Sequence, residues 1–116
     1  FNRFLKSRTN ILDAGTGLGN SAKLFSANQD AQVFAIDASQ SIDFAYKKYG
    51  KTPNIHFIQT DIRKLPFKNQ FFDFICSDQV LHHTKDTKTS FTYLTKFLKK
   101  DAVISIYVYN KKAPVR

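Results

Sequence analysis

The sequence lacks several residue types, and each absence excludes a class of protein. Its one cysteine, Cys76, allows neither an internal disulfide nor a cysteine-based metal cluster. The 116 residues include no methionine and no glutamate, and the missing methionine suggests a fragment or a trimmed chain. No apolar run approaches a membrane-spanning length, and Phe1–Asn10 lacks the apolar stretch of a secretory signal. We therefore expect a protein of the reducing cytoplasm that has no membrane partner.

The composition is that of one globular domain with a basic surface. Hydrophobic residues make up 42% of the chain and charged residues 23%, with a formal net charge of +9. Such a charge permits binding to nucleic acid or anionic lipid, but a solvated lysine surface, balanced by acidic residues elsewhere in a longer chain, is the simpler explanation. We expect residues 1–116 to form one domain, the core of a longer protein.

Short apolar runs alternate with helix-length amphipathic stretches. Predicted strands cover Asn10–Ala14, Ala31–Ile36, Asn54–Ile58, Phe72–Ser77 and Ala102–Tyr109. Predicted helices cover Ser21–Gln29, with Leu24 and Phe25 facing inward, Ser39–Tyr49, with Ser39 as N-cap, and Thr87–Lys99. This alternation predicts an α/β fold, a doubly wound and mostly parallel sheet with helices on both faces.

A glycine-rich segment, Asp13–Gly19, lies between the first strand and the first helix. Glycines there let the backbone turn sharply and approach a ligand closely. The spacing is Gly-x-Gly-x-Gly, whereas dinucleotide folds use Gly-x-Gly-x-x-Gly and Asn20 takes the place of their third glycine. Asp13 would also repel a pyrophosphate but suits a cationic ligand. A tight structural turn is the simpler alternative.

Three further strands each end at or just before an aspartate. Asp37 follows the second strand, where a carboxylate can accept hydrogen bonds from both hydroxyls of a ribose. Asp61 follows the third strand, and its carboxylate could accept from the exocyclic amine of adenine. Asp78 follows the fourth strand in the segment Phe72–His83. Ligands of open α/β sheets bind at this edge, so four ordered aspartates there favour a nucleoside ligand over helix caps and turns.

With these motifs the sequence resembles the class I S-adenosylmethionine (SAM) dependent methyltransferases, in particular the small-molecule type. The resemblance spans about Asn10 to Tyr109. Leu12–Gly19 looks like the family's glycine motif, Ile36-Asp37 its ribose motif and Thr60–Ile62 its adenine motif, while Leu65–Phe67 resembles the segment before its fourth strand. The resemblance implies a Rossmann-like core with strand order 3-2-1-4-5, truncated after the fifth strand.

The same resemblance implies a cofactor site for SAM. Its cofactor-binding residues would be Asp13, Gly15, Thr16, Gly17, Asp37, Ala38, Asp61, Ile62 and Ser77. The glycine loop and Asp13 would hold the methionine portion, Asp37 the ribose, and Asp61 with the Ile62 backbone the adenine. Ser77 and Asp78 would face the methionine end and the substrate. His83 matches a position where the family often has histidine.

The chain departs from the family before its fifth strand, where Lys99–Ala102 replaces the usual Pro-Gly-Gly turn. Methyl transfer mainly requires an aligned nucleophile and exclusion of water, so a general base is optional, with Asp78 and His83 as candidates. Cys76 is expected to be a buried structural residue. His82 and His83 lack a further metal ligand, so no metal is expected.

The expected activity is methyl transfer from SAM to a small-molecule acceptor. Two alternatives remain, a nucleotide-dependent oxidoreductase and a non-catalytic SAM- or nucleic-acid-binding module. The missing Asn/Asp-Pro-Pro-Tyr motif of amino-methylating nucleic-acid enzymes argues against a nucleic-acid substrate. We also expect residues 1–116 alone to lack turnover and to self-associate through the free edge of the fifth strand.

Overall fold

Strands and helices alternate along the chain in this computed structural model, which describes residues 9–78 and 87–107. The strands are β1 (Thr9–Ala14), β2 (Ala31–Asp37), β3 (Ile55–Gln59), β4 (Phe72–Asp78) and β5 (Leu98–Tyr107). The helices are α1 (Asn20–Phe25), α2 (Ser41–Tyr49) and α3 (Thr87–Thr95). Each predicted element is present, so the predicted order of elements is confirmed.

The five strands form one sheet in the order β3-β2-β1-β4-β5, and all neighbours are parallel. The chain adds strands outward from β1 to β3 and then returns to place β4 on the other side of β1. This reversal aligns Ala14 with Ile36 of β2 and with Ser77 of β4. A crevice forms at such a reversal, outside the carboxyl ends of the strands. The predicted doubly wound sheet and its strand order are confirmed.

Apolar side chains alternate between the two faces of the sheet, so both faces carry a core. On one face Leu12 and Ile75 pack with Leu94 and Phe97, which lie in or just after α3, and with Leu65 of the loop before β4. The other core lies on the side of α1, where its main members are Ile11, Ala22, Val33 and Phe74. Burial on both faces explains why these strands read as continuous apolar runs.

The first helix is shorter than predicted, because it ends at Phe25 and not at Gln29. Ser26 is its C-cap, and the Ser26 hydroxyl donates to the carbonyl of Lys23 at 2.7 Å. The prediction that Leu24 faces inward is wrong, since its side chain is 76% exposed. Ala22 and Phe25, three residues apart, form the inner face of so short a helix, and Leu24 lies off that face.

Two helix boundaries also differ from the sequence prediction. The second helix begins at Ser41 with Gln40 as its N-cap, not Ser39. Ser39 still contributes, because its hydroxyl oxygen accepts a hydrogen bond from the Ser41 N–H at 3.2 Å. The third helix ends at Thr95 instead of Lys99, and the chain turns at once into β5.

The fifth strand begins at Leu98, earlier than predicted, and contains an irregularity. Phe72 of β4 pairs with Leu98, but Phe74 pairs with Val103, so Lys99–Ala102 forms a bulge within the strand. Asp101 has a positive φ of 65°, a conformation that aspartate tolerates better than most residues. The unusual Lys99–Ala102 segment therefore lies inside β5. The resemblance to the family predicts a turn at this segment, before the fifth strand.

Candidate functional site

The turn after β1 is fixed to the end of β2 by backbone hydrogen bonds. The N–H groups of Gly15 and Thr16 both donate to the carbonyl of Ile36, at 2.9 and 2.8 Å. Gly17 has a φ of 57°, a left-handed conformation that glycine adopts without strain. The predicted glycine loop thus lies at the carboxyl edge, directly beside the end of β2.

Asp13 lies inside the protein just before this loop. Its side chain is 1% exposed, and its Oδ2 accepts a hydrogen bond from the hydroxyl of Thr16 at 2.8 Å. A buried carboxylate requires such donors, so Asp13 and Thr16 stabilise each other. Both predicted residues therefore shape the loop, and their contact with a cofactor stays a prediction.

Asp37 ends β2, and its carboxylate joins two loops. Its Oδ2 accepts from the backbone N–H of Gly17 at 2.8 Å, across twenty residues of sequence. Its Oδ1 accepts from the backbone N–H and the hydroxyl of Ser39, at 2.8 and 2.7 Å. The carboxylate thus holds the glycine loop against the start of the second helix. Asp37 connects the predicted glycine and ribose motifs directly.

Gln59 connects the end of β3 to the same edge. Its side-chain amide donates to the carbonyls of Ala38 and Ser39, at 3.3 and 3.2 Å. The N–H of Thr60 donates to the carbonyl of Asp37 at 3.1 Å. Ala38 was predicted as a cofactor contact, whereas the positioning role of Gln59 was missed. A glutamine at a strand end carries no distinctive sequence signal.

Asp61 lies just after β3 and is held by Arg63. The Arg63 Nε and Nη2 donate to the two carboxylate oxygens at 3.1 and 2.8 Å, and the Arg63 backbone N–H donates to Oδ1 at 2.8 Å. The Arg63 hydrogen bonds lower the pKa of Asp61 to about 2. Asp61 is therefore anionic at neutral pH. Sequence reasoning missed Arg63, although its charge two residues after Asp61 was a visible signal.

Ile62 lies between these two residues and leaves a donor available. The part of the chain that the structure describes holds no hydrogen-bond partner for its N–H. A carboxylate acceptor and a backbone donor thus follow each other after β3. Adenine presents the complementary pair, an amine donor beside a ring-nitrogen acceptor. The predicted adenine motif therefore has the required polar groups next to each other in sequence.

Ser77 lies near the end of β4, beside the end of β1. Its side chain is fully buried, and its hydroxyl has no hydrogen-bond partner among the residues that the structure describes. A buried hydroxyl without a partner costs about 1–3 kcal/mol. Such an unpartnered hydroxyl requires an explanation, and either an ordered water or a ligand would supply the missing partner. Asp78 ends β4 opposite Tyr107, while its side chain, His82 and His83 lie outside the described residues.

We predict opposite effects of Ser77→Ala on the free and the cofactor-bound protein. Removing the unpartnered hydroxyl should leave the free protein unchanged or raise its free energy of unfolding by up to about 1 kcal/mol. Removing a ligand contact should instead reduce the increase in melting temperature that the cofactor causes. Differential scanning fluorimetry with and without S-adenosylhomocysteine measures both effects. A large loss of stability without ligand would show that Ser77 has a structural partner.

Neither a metal site nor a membrane span is present in the ranges 9–78 and 87–107. No group of three or more metal-ligating side chains occurs among these residues, and none of their helices has the length and apolar character to cross a membrane. Cys76 is half-buried on the α1 side of the sheet and not fully buried as predicted. Its packing against apolar neighbours is nonetheless that of a structural residue.

Several basic residues lie at the other edge of the sheet. Lys51 precedes β3, Lys68 precedes β4 and Lys96 precedes β5, so all three lie where strands begin. Lys99, at the start of β5, forms an ion pair with Asp73 at 3.1 Å. The strand-end aspartates therefore lie at one edge of the sheet, and many lysines lie at the opposite edge. Nucleic-acid binding by the basic residues stays an untested prediction.

Comparisons with known proteins agree with this fold. The model of the methyltransferase domain family matches residues 12–106. The uncharacterized methyltransferase YcgJ of Bacillus subtilis is 29% identical over 96 residues, 78% of this chain and 37% of that protein. Phosphoethanolamine N-methyltransferase 3 of Arabidopsis thaliana is 30% identical over 114 residues, 95% of this chain and 23% of that protein. This chain thus spans well under half the length of these curated relatives.

Solved structures show the same arrangement of strands. A SAM-dependent methyltransferase from Aquifex aeolicus superposes with a TM-score of 0.83 at 24% identity, covering 99% of this chain and 64% of that chain. The YcgJ protein of Bacillus subtilis gives a TM-score of 0.81 at 26% identity, covering 94% and 48%. Similarity of this extent establishes the fold.

Proposed function

Because this chain belongs to the methyltransferase domain family, whose model matches residues 12–106, we propose that it is the SAM-binding core of a class I methyltransferase. The proposed reaction of the whole protein is transfer of the sulfonium methyl group of SAM to a small-molecule acceptor. Membership of this family argues against the alternative of a nucleotide-dependent oxidoreductase. The acceptor proposal draws support from curated relatives named as phosphoethanolamine N-methyltransferases.

The observation that carries this proposal is the position of Asp37. Its carboxylate lies where the glycine loop meets the start of the second helix, beside the crevice of the sheet. Its Oδ2 accepts one hydrogen bond and retains a second lone pair, while the hydroxyl of Ser39 can turn away from Oδ1. Two ribose hydroxyls can therefore donate to this carboxylate without moving the backbone.

The neighbouring groups fit the remainder of the cofactor. The Asp61 carboxylate would accept from the adenine amine, and the Ile62 N–H would donate to a ring nitrogen. The loop of Gly15, Thr16 and Gly17, braced by Asp13, would hold the methionine portion. The unpartnered hydroxyl of Ser77 lies on the strand beside this loop. These assignments follow the order of the strands across the sheet. Adenine would lie at the end of β3, the ribose at the end of β2, and the methionine portion at the ends of β1 and β4.

When bound, SAM supplies an electrophilic methyl group that needs no further activation. The protein must hold that cofactor still, keep water away and align the acceptor. Asp37 and Asp61 would fix the two ends of the adenosine, so that the cofactor cannot rotate. Asp78 and His83 are proposed as general-base candidates, for an acceptor that carries a proton at working pH.

The proposal predicts binding of SAM and S-adenosylhomocysteine with micromolar affinity. Isothermal titration calorimetry on the full-length protein measures both, with NADH as the control ligand. Saturable heat with the two sulfur compounds and none with NADH is expected. Absence of heat with either compound, at concentrations well above micromolar, would contradict the proposed function.

A non-catalytic module remains the second candidate, because Lys51, Lys68 and Lys96 lie at the opposite edge of the sheet, before the starts of strands. Retention on RNA that falls steeply with salt concentration, without methyl transfer, would favour it. Methyl transfer to a small amine or carbon acid would favour the enzyme. The two assays use the same full-length preparation.

A further inference from the structure

Arg63 donates three hydrogen bonds to the Asp61 carboxylate from one side. The guanidinium contributes Nε at 3.1 Å and Nη2 at 2.8 Å, and the backbone N–H of Arg63 adds a bond of 2.8 Å. Two donors reach Oδ1 and one reaches Oδ2. This arrangement restricts the rotation of the carboxylate about both side-chain bonds. A free aspartate two residues from a strand end would lack this restriction.

The three hydrogen bonds from Arg63 leave one acceptor position of the Asp61 carboxylate unused. An ionised carboxylate offers about four acceptor positions, two on each oxygen. Arg63 occupies both positions on Oδ1 but only one on Oδ2. One acceptor position on Oδ2 therefore remains, and its direction is set by the ion pair.

The same turn also presents the Ile62 N–H. The backbone bond from Arg63 to Oδ1 closes a turn around Ile62, and a bond of 2.9 Å from the Lys64 N–H to the Asp61 carbonyl closes it from the other side. The Ile62 N–H takes part in neither bond and has no partner in the described ranges. Arg63 thus helps to place a single acceptor and a single donor on the same short turn.

We infer that Arg63 is a positioning residue for adenine recognition, which holds Asp61 so that its remaining Oδ2 acceptor meets the adenine amine. This inference rests on the proposed function, because it takes Asp61 and Ile62 as the adenine contacts. Arg63 itself touches neither the amine nor the ring in this scheme. Its contribution is to reduce the orientational freedom that Asp61 would lose on binding.

A surface ion pair without functional role is the competing explanation. Exposed pairs contribute only about 0–1 kcal/mol to stability, and the side chains of Arg63 and Asp61 are 65% and 38% exposed. A stability measurement would therefore not reveal the role of Arg63. Discrimination between purine bases would reveal it, since a purely structural pair should not affect base preference.

The test compares two ligands in calorimetry on the full-length protein, S-adenosylhomocysteine and its inosine analogue. The analogue carries an oxygen in place of the amine and should be repelled by the held carboxylate. Arg63→Ala is expected to weaken S-adenosylhomocysteine by about two- to five-fold and to reduce the adenine preference. Arg63→Lys keeps the charge but not the fork, so it should resemble Arg63→Ala. Lys64→Ala, which removes a neighbouring charge, should leave both properties unchanged.

A second arm uses Asp61→Ala as background. If Arg63 acts through Asp61, adding Arg63→Ala to that background should cause no further loss. Unchanged or stronger binding by Arg63→Ala, or an equal loss with and without Asp61, would overturn the inference. Wild-type protein that binds neither ligand would instead contradict the proposed function itself.

Discussion

Asp37→Ala is expected to weaken SAM binding by at least about 100-fold, because it removes a carboxylate acceptor worth roughly 1.5–3 kcal/mol for each hydrogen bond. The ribose hydroxyls would lose both acceptors at once. The glycine loop would also lose its link to the turn before the second helix, since Gly17 and Ser39 both donate to this carboxylate. Calorimetry on the full-length protein measures the loss.

Two controls separate charge from folding. Asp43→Ala removes an exposed aspartate in the first turn of α2, six residues away, and should bind SAM normally. Asp37→Asn keeps one acceptor oxygen and should bind more strongly than Asp37→Ala. Equal affinities for the Asp37 and Asp43 alanine variants would show that Asp37 only fixes loops.

Gly19→Ala is expected to lower the free energy of unfolding by about 2–4 kcal/mol. Gly19 has a φ of 88°, and an added Cβ would lie 3.0 Å from the Ala45 Cβ and 3.1 Å from Tyr49 Cδ2. Backbone strain and crowding therefore act together. The Ala45 Cβ is fixed to the backbone of α2, so relief of that contact would require the helix to move.

The matched control is Gly17→Ala in the same loop. Gly17 also has a positive φ, but nothing lies within 4 Å of an added Cβ. Strain alone should cost about 1–2 kcal/mol, while cofactor binding should suffer from the bulk beside the ligand. Urea denaturation compares the two variants. Equal midpoints would show that the contacts around Gly19 relax freely.

The sequence determined the fold class and the place of the candidate site. Apolar runs bounded by turns predicted five parallel strands. Asp37 and Asp78 end strands of the sheet, Asp61 follows one, and Asp13 is the last residue but one of β1. Parallel strands necessarily bring these ends to one edge, so no tertiary information was needed to group them. The helical periodicity wrongly predicted that Leu24 faces inward, because the inner face of a six-residue helix is too narrow to include it.

The predicted end of the third helix and start of the fifth strand were wrong for a different reason. Phe97 and Leu98 continue the helical spacing of the third helix, yet the chain leaves the helix at Thr95 and Leu98 pairs with Phe72. Pairing with β4 satisfies the backbone of Leu98 and overrides its helical propensity. No signal along the chain separates these outcomes.

Contacts between distant residues were decided by the tertiary structure alone. The bond between Asp37 and Gly17, the crowding of Gly19 by Ala45 and the isolation of the Ser77 hydroxyl all depend on how loops meet across the sheet. Sequence pattern specifies which residue types end each strand, because periodicity and turn chemistry are local. The orientation of each polar group is set by neighbours that become adjacent only when the sheet forms.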